Sequence, residues 1–480
     1  VEQIRVPWSG VDTFIFFLYF LIVVAVGLRF TKRASKGMGE YFLSGRSLTI
    51  PLLVGTMMAS WYDGFSVVGV AEWAWAEGIA AMIVYVIPVT LTRIPFALWI
   101  APLVRGKLPE DVMTVPDLLE YLYDKRVKFL GALTILAGVL YNGANFLVIS
   151  QLMHLIFGIS QFTAILISGI TVGIYVTASG LWAVAVTDVV QMAYMTIAAG
   201  LAVVPALKLA GGFEGLYASL ASSAPHLFQA TGGLTSPEII AWALVGMSIY
   251  TSPIMYQRFS AAESAQSAKI SFLICMPIWL VFSSIMVLLG LCSRALHPSL
   301  DPYQGFWMVV MTVLPVGIRA IFAAGLVAAV MSTLDSDLLI HSTAMVKDIY
   351  AGFINPRVSD RAMVNLNRMA IVTLIVLTMI STQLWHGGIM KAWYYVSGFL
   401  VAGLFVPLVF GLFYKKKTPA AGLTALLVGV VGYVLWEFVW ATPFGLPAYD
   451  VVWVVSGVVY LLVCELTYKT ASKEGARSGV

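Results

Sequence analysis

The sequence predicts an all-α membrane protein with about thirteen transmembrane helices. Composition is the first reason: 60% of the 480 residues are apolar and 11% are charged, where a soluble domain carries roughly 25% charged residues. The second is length, because runs able to cross about 30 Å of hydrocarbon recur along the whole chain. The third is charge placement: lysines and arginines collect in every second connection between those runs.

Taken in order, the expected spans cover residues 12–30, 47–76, 79–104, 128–158, 160–180, 182–208, 237–256, 266–293, 318–347, 364–384, 389–414, 419–440 and 449–469. Residues 1–10 lack the composition of a cleaved signal, so the first run is expected to be a retained span. Connections expected on the cytoplasmic side hold Arg29, Lys32, Lys36 and Arg46, then Arg105, Lys107, Lys125 and Lys128, then Arg258 and Lys269. Further along come Lys347, Arg357 and Arg361, then Lys415, Lys416 and Lys417, and the tail with Lys469, Lys473 and Arg477. The opposite connections, 209–236 and 441–450, hold almost none. This bias puts the N-terminus outside and the C-terminus in the cytoplasm of a plasma (inner) membrane, which requires an odd number of spans. Within 105–127, VPDLLEYLYD is expected to be an amphipathic helix lying on the inner surface.

Several function classes find no support. Cys275, Cys292 and Cys464 lie in apolar runs without CxxC spacing, so neither a disulfide framework nor a zinc site is expected. There is no HExxH motif and no Walker loop. Asp335 and His341, six residues apart, do not face each other on a helix, and no enzyme is expected. A net charge of +4 gives no reason to expect a nucleic-acid partner.

Two spans are flawed alike. The second contains GTMMASWYDGFSVVG, with Ser60, Asp63, Gly64 and Ser66 in mid-membrane; the seventh contains GMSIYTSPIMYQRF, with Thr251, Ser252 and Pro253. Backbone freed at such breaks is satisfied only by a cavity, a ligand or neighbouring helices. Paired interrupted helices at corresponding places in two halves point to a transport site between inverted repeats. Ordinary kinks are the plainer alternative, since Gly and Pro are common in membrane helices.

The segment AAVMSTLDSDLLIHST, residues 328–343, carries Ser332, Thr333, Asp335, Ser336 and Asp337 inside the ninth span. Ser332, Asp335 and Ser336 share one helical face, and Ala329, Ser332 and Thr333 an overlapping one. Hydroxyls, carbonyls and a carboxylate are hard ligands suited to a small alkali cation. Back-bonding of the hydroxyls to the helix is the alternative for each one taken alone. Asp335 and Asp337, two residues apart, face different ways, and one of them is expected to reach toward the cytoplasmic side. Asp188, in LWAVAVTDVVQMAY, is a second intramembrane acid with no basic partner nearby in sequence. A cation held jointly with the ninth span would answer for it, as would a role at a helix start.

YFLSGRSL at 41–48, GLVAAVMSTLDSDLL at 325–339, TDVVQ around Asp188 and the Gln257–Arg258 pair together resemble the sodium/solute symporter family, over nearly the whole chain. That family includes carriers of sugars, proline, pantothenate and sialic acid. The resemblance implies a LeuT-type fold with five-plus-five inverted repeats and coupling to sodium. The implied layout is 1–46 as tail, first span and cytoplasmic loop; 47–208 as first repeat; 209–236 as extracellular loop; 237–414 as second repeat; and 415–480 as two peripheral helices and tail.

It also implies a first sodium site made by backbone carbonyls of Ala59, Tyr62 and Ala329 with the hydroxyls of Ser332 and Thr333. A second site for sodium or a proton would use Asp188, Ser332, Asp335 and Ser336, where an acid at 335 replaces the more usual hydroxyl. Candidate solute contacts are Ser60, Asp63, Ser66, Tyr141, Asn142, Asn145 and Ser252. The expected function is sodium-coupled symport of a small polar organic solute, an amino acid or small carboxylate first. The alternatives are a proton-coupled symporter and a solute-sensing membrane module of the same fold.

Overall fold

A computed structural model describes residues 6–384 and 388–477; residues 1–5, 385–387 and 478–480, parts of the expected tail, of the connection before the eleventh span and of the C-terminus, lie outside. So do the side chains of Lys469, Lys473 and Arg477 in the tail. The described residues are helical almost throughout. In chain order the main helices are α1 (Gly10–Leu28), α2 (Ile50–Ala59), α3 (Val70–Glu77), α4 (Ile87–Pro95), α5 (Val115–Leu122), α6 (Lys125–Ala137), α7 (Val139–Phe157) and α8 (Gln161–Leu209). They continue with α9 (Ser236–Leu244), α10 (Pro253–Ala261), α11 (Ala265–Leu296), α12 (Ile318–Thr343), α13 (Asp360–Ser381), α14 (Gly388–Phe413), α15 (Pro419–Val434) and α16 (Ala448–Arg477).

Among the described residues ten helices are long and apolar enough to cross a membrane, and eleven when one bent pair counts as a single span. The other two expected spans fall on shorter helices, α2 and Gln161–Ile174. The shortfall at α2 comes from a break in the chain. At the first break α2 stops at Ala59, Trp61–Asp63 leave the helix, and a π-helical turn at Phe65–Gly69 leads into α3. Between spans five and six α8 is interrupted at Gly180, whose φ of 54° is open to glycine and strained for other residues. A Cβ there would also meet the carbonyl oxygen of Tyr41 at 2.3 Å.

The bent pair is the seventh span. A 3₁₀ stretch, Val245–Thr251, runs into an extended Ser252, and Pro253 starts α10 at an angle of 42°. Proline suits a first helical turn because it has no N–H to satisfy there. The two broken spans are tied to each other: Leu48 donates its N–H to Ala261 O at 3.0 Å and accepts from Glu263 N–H at 3.0 Å.

The helix of the polar segment is central. In the span containing α12, 89% of the most apolar window is buried within the protein, against 28% for the spans of α15 and α16. A helix buried on all sides is a core element, while the last two helices are peripheral. The amphipathic helix expected near 105–127 is α5, begun by a capping box between Thr114 and Asp117. It is packed into the protein: Asp117, 7% exposed, takes ion pairs from Lys128 at 2.9 Å and from Lys347. Lys128, placed by sequence in a cytoplasmic connection, is itself 7% exposed and is held by Asp117 and, at 2.8 Å, by Glu120.

Candidate functional site

The break of the second span meets α12 through oxygen atoms. Ser332 donates its hydroxyl to Ala59 O at 2.9 Å and to Ala329 O at 2.7 Å. Thr333 lies 3.4 Å from both Ser60 O and Ala329 O. Tyr62 closes the break by donating its N–H to Ala59 O at 3.1 Å, and its buried ring stacks on Phe282 with centroids 3.9 Å apart. Four expected members of the first sodium site, Ala59, Ala329, Ser332 and Thr333, thus form one knot, with Tyr62 three residues on from Ala59. Its donors are all hydroxyl or carbonyl oxygens, which suit a hard alkali cation. Among the described residues no three His, Cys, Asp or Glu side chains gather as a metal site would require.

Beside that knot lies the expected second site, and a cation of the protein itself already stands in it. Asp188 is fully buried and accepts a hydrogen bond from Thr56 at 2.6 Å, but it does have a basic partner. The guanidinium of Arg258 stands 3.9 Å from its Oδ2. Sequence placed Arg258 in a cytoplasmic connection; it is fully buried in α10. It donates to Ser336 Oγ at 2.5 Å, Ser60 Oγ at 3.2 Å and Thr56 Oγ1 at 3.2 Å, and it bonds Gln257. Ser336 in turn donates to Asp335 at 3.3 Å. A guanidinium therefore sits among the groups expected to hold a second sodium or proton. Pairing across 70 residues of chain is invisible to a search of neighbouring sequence.

The two breaks open on a cavity of about 140 Å³. Of the expected solute contacts, Ser60, Asp63, Ser66, Tyr141 and Ser252 line it. Asp63 is held from two sides, accepting from the Ser66 N–H at 2.7 Å and from the Tyr141 hydroxyl at 2.5 Å. Asn142 and Asn145 are not in the lining. Asn145 braces the break instead, accepting from the Gly64 N–H at 3.2 Å, and Asn142 is buried with its amide unpartnered. Their helix turns away: Tyr141 faces the cavity, and Asn142, about 100° round the helix, does not.

Sequence reasoning missed several wall residues. Arg93 on α4 is the most telling, a single charge in an apolar run, which is itself a signal of function. Asp337, not among the expected solute contacts, also lines the cavity. Trp61, Trp279, Trp393, Tyr85, Ser248, Thr251 and Ser397 complete most of the wall.

Comparisons with known proteins agree with this picture. The sodium/glucose cotransporter of Vibrio parahaemolyticus is 25% identical, over 92% of this chain and 87% of its own. The sodium/proline symporter of Staphylococcus aureus (strain JH9) is 26% identical, over 98% of this chain and 94% of its own. For the sodium/pantothenate symporter of Escherichia coli (strain K12) the figures are 26%, 86% and 88%. Among solved structures, a Na+-coupled sialic acid symporter in a substrate-bound outward-open state superposes with a TM-score of 0.81, at 15% identity, over 97% of this chain and 98% of that one. That likeness identifies the fold. The Sodium:solute symporter family profile matches residues 41–429, and the chain belongs to that family of sodium-coupled, multi-pass membrane transporters.

Proposed function

We propose that this protein carries a small polar organic solute, an amino acid or small carboxylate, across the plasma membrane by sodium symport and alternating access. One observation carries the reading: Ser60 and Thr333 belong both to the cavity wall and to the oxygen knot between the broken helix and α12. A sodium ion binding that knot would exchange the hydroxyl–carbonyl hydrogen bonds for ion contacts and fix the same wall the solute touches. Ala59, Tyr62, Ala329, Ser332 and Thr333 are its ligands in this reading. The units 47–208 and 237–414 rock against each other about the two breaks, with the N-terminus outside.

The place of Arg258 among Asp188, Ser60 and Ser336 favours one transported sodium, because a resident cation already serves the second site. One charge moving through about 100 mV contributes roughly 2.3 kcal/mol, and a tenfold sodium gradient adds about 1.4 kcal/mol. Together these sustain a neutral-solute gradient of roughly several hundredfold. Uptake into proteoliposomes is therefore expected to be electrogenic and sodium-dependent. Uptake unchanged when choline replaces sodium, at fixed potential and pH, would remove the basis of the reading.

A further inference from the structure

Arg93 is the one cavity-lining cation among the described residues, and its surroundings leave it incomplete. Its side chain is 4% exposed, and its Nε and Nη1 have no hydrogen-bond partner. No carboxylate of the described residues pairs with it, whereas Arg319 has Asp12 at 2.8 Å and Arg258 has a full set of oxygens. Two indoles clasp it: the guanidinium carbon lies 3.1 Å from the Trp61 ring centre and 4.2 Å from that of Trp279. Such contacts involve the ring faces and attract the charge. They do nothing for the N–H groups in the guanidinium plane. Buried donors left without acceptors are the costly arrangement, and a stacked, fixed guanidinium is prepared to take two oxygens of a carboxylate at once.

We infer that Arg93 anchors a carboxylate of the transported solute, and that the solute is a small zwitterion. This rests on the symport reading and narrows it. The cavity wall also holds Asp63 and Asp337. Both offer carboxyl oxygens to a cationic group, and a lone monocarboxylate would leave them unused. A solute bringing its own cationic group offers that group to Asp63 or Asp337 while its carboxylate meets Arg93. The ring of Trp393, stacked on Phe65 with centroids 4.6 Å apart, gives the same cavity an apolar wall for a short carbon skeleton.

The test compares matched solutes on the purified, full-length protein in proteoliposomes under a sodium gradient. The set is glycine, L-alanine and L-proline, the amides of each, propionate and D-glucose. At least one zwitterion is expected to accumulate, with its amide, propionate and glucose at least about a hundredfold poorer in uptake efficiency, because a site built for a polar group strongly rejects analogues lacking it. Arg93→Gln is expected to lose a comparable factor for that zwitterion while keeping sodium-dependent thermal stabilisation; Arg93→Lys recovers part of it as a point charge. Amides or glucose carried as well as the acids, or an Arg93→Gln protein with unchanged half-saturation, would overturn the proposal and leave symport standing. If nothing is taken up with sodium, the symport reading fails. Thermal-shift binding of the same solutes to wild type then decides Arg93: zwitterions that bind no better than their amides overturn its role.

Discussion

Replacing Arg258 with glutamine removes the resident cation beside Asp188. At their 3.9 Å separation, with an effective dielectric of about 20, the pair interacts by roughly 4 kcal/mol. The hydrogen bonds to Thr56, Ser60 and Ser336 go with it. An uncompensated buried charge is strongly destabilising, so Arg258→Gln should draw a second cation from solution into the space around Asp188 and Ser336. In sodium titrations of uptake the Hill coefficient is then expected to rise from about one toward two, with half-saturation at higher sodium. Asp188→Asn, the opposite imbalance, leaves excess positive charge beside the first sodium; a weakening of 1.4 kcal/mol would already cost tenfold in affinity. The double variant Arg258→Gln/Asp188→Asn restores neutrality and should return the coefficient to one, as replacing both members of a buried pair is far milder than removing one. A parent protein with a coefficient near two would refute the reasoning. So would an Arg258→Gln protein that folds, transports and responds to sodium as the parent does.

Two further outcomes are expected. Ser332→Ala and Thr333→Ala should each raise the sodium concentration for half-maximal uptake with little change in surface expression; normal sodium response with loss of membrane insertion would instead mark both hydroxyls as packing groups. Asp117, on α5, has its carboxyl pushed up by burial and more than pulled back by the Lys347 and Lys128 ammoniums, to about 2 from the ordinary 3.8. The stability from this depression is complete above pH 3.8 and is lost as pH falls toward 2. It amounts to about 2 kcal/mol, so Asp117→Asn should lower the melting temperature at neutral pH, and a melt unchanged by the substitution would show that the cluster adds nothing.

Much of this molecule is written locally in its sequence. Hydrophobic runs and alternating basic connections define membrane helices because the bilayer imposes a length and a polarity on each one separately. The two helix breaks were legible for a similar reason: Gly, Pro, Ser and Asp inside an apolar run conflict with the run itself. Helical spacing fixes that Ala329, Ser332 and Thr333 share a face, whereas the joining of that face to Ala59 and Tyr62 was what the family resemblance implied. Arg258 and Asp188 show where that ends. Asp188 looked unpaired because its partner lies 70 residues further along the chain, and only the packing of both α8 and α10 against α2 brings the two charges within 3.9 Å. Asn142 and Asn145 look like solute ligands by type, yet the rotation of α7 turns one into the core and sets the other to bracing Gly64. Arg93 stands inside the run expected as the third span, and the sequence shows a charge there without showing that it is buried. That Trp61 from the broken second span and Trp279 from α11 clasp it, and that no carboxylate of the described residues pairs with it, is decided by tertiary structure alone, because these groups come from separate parts of the chain.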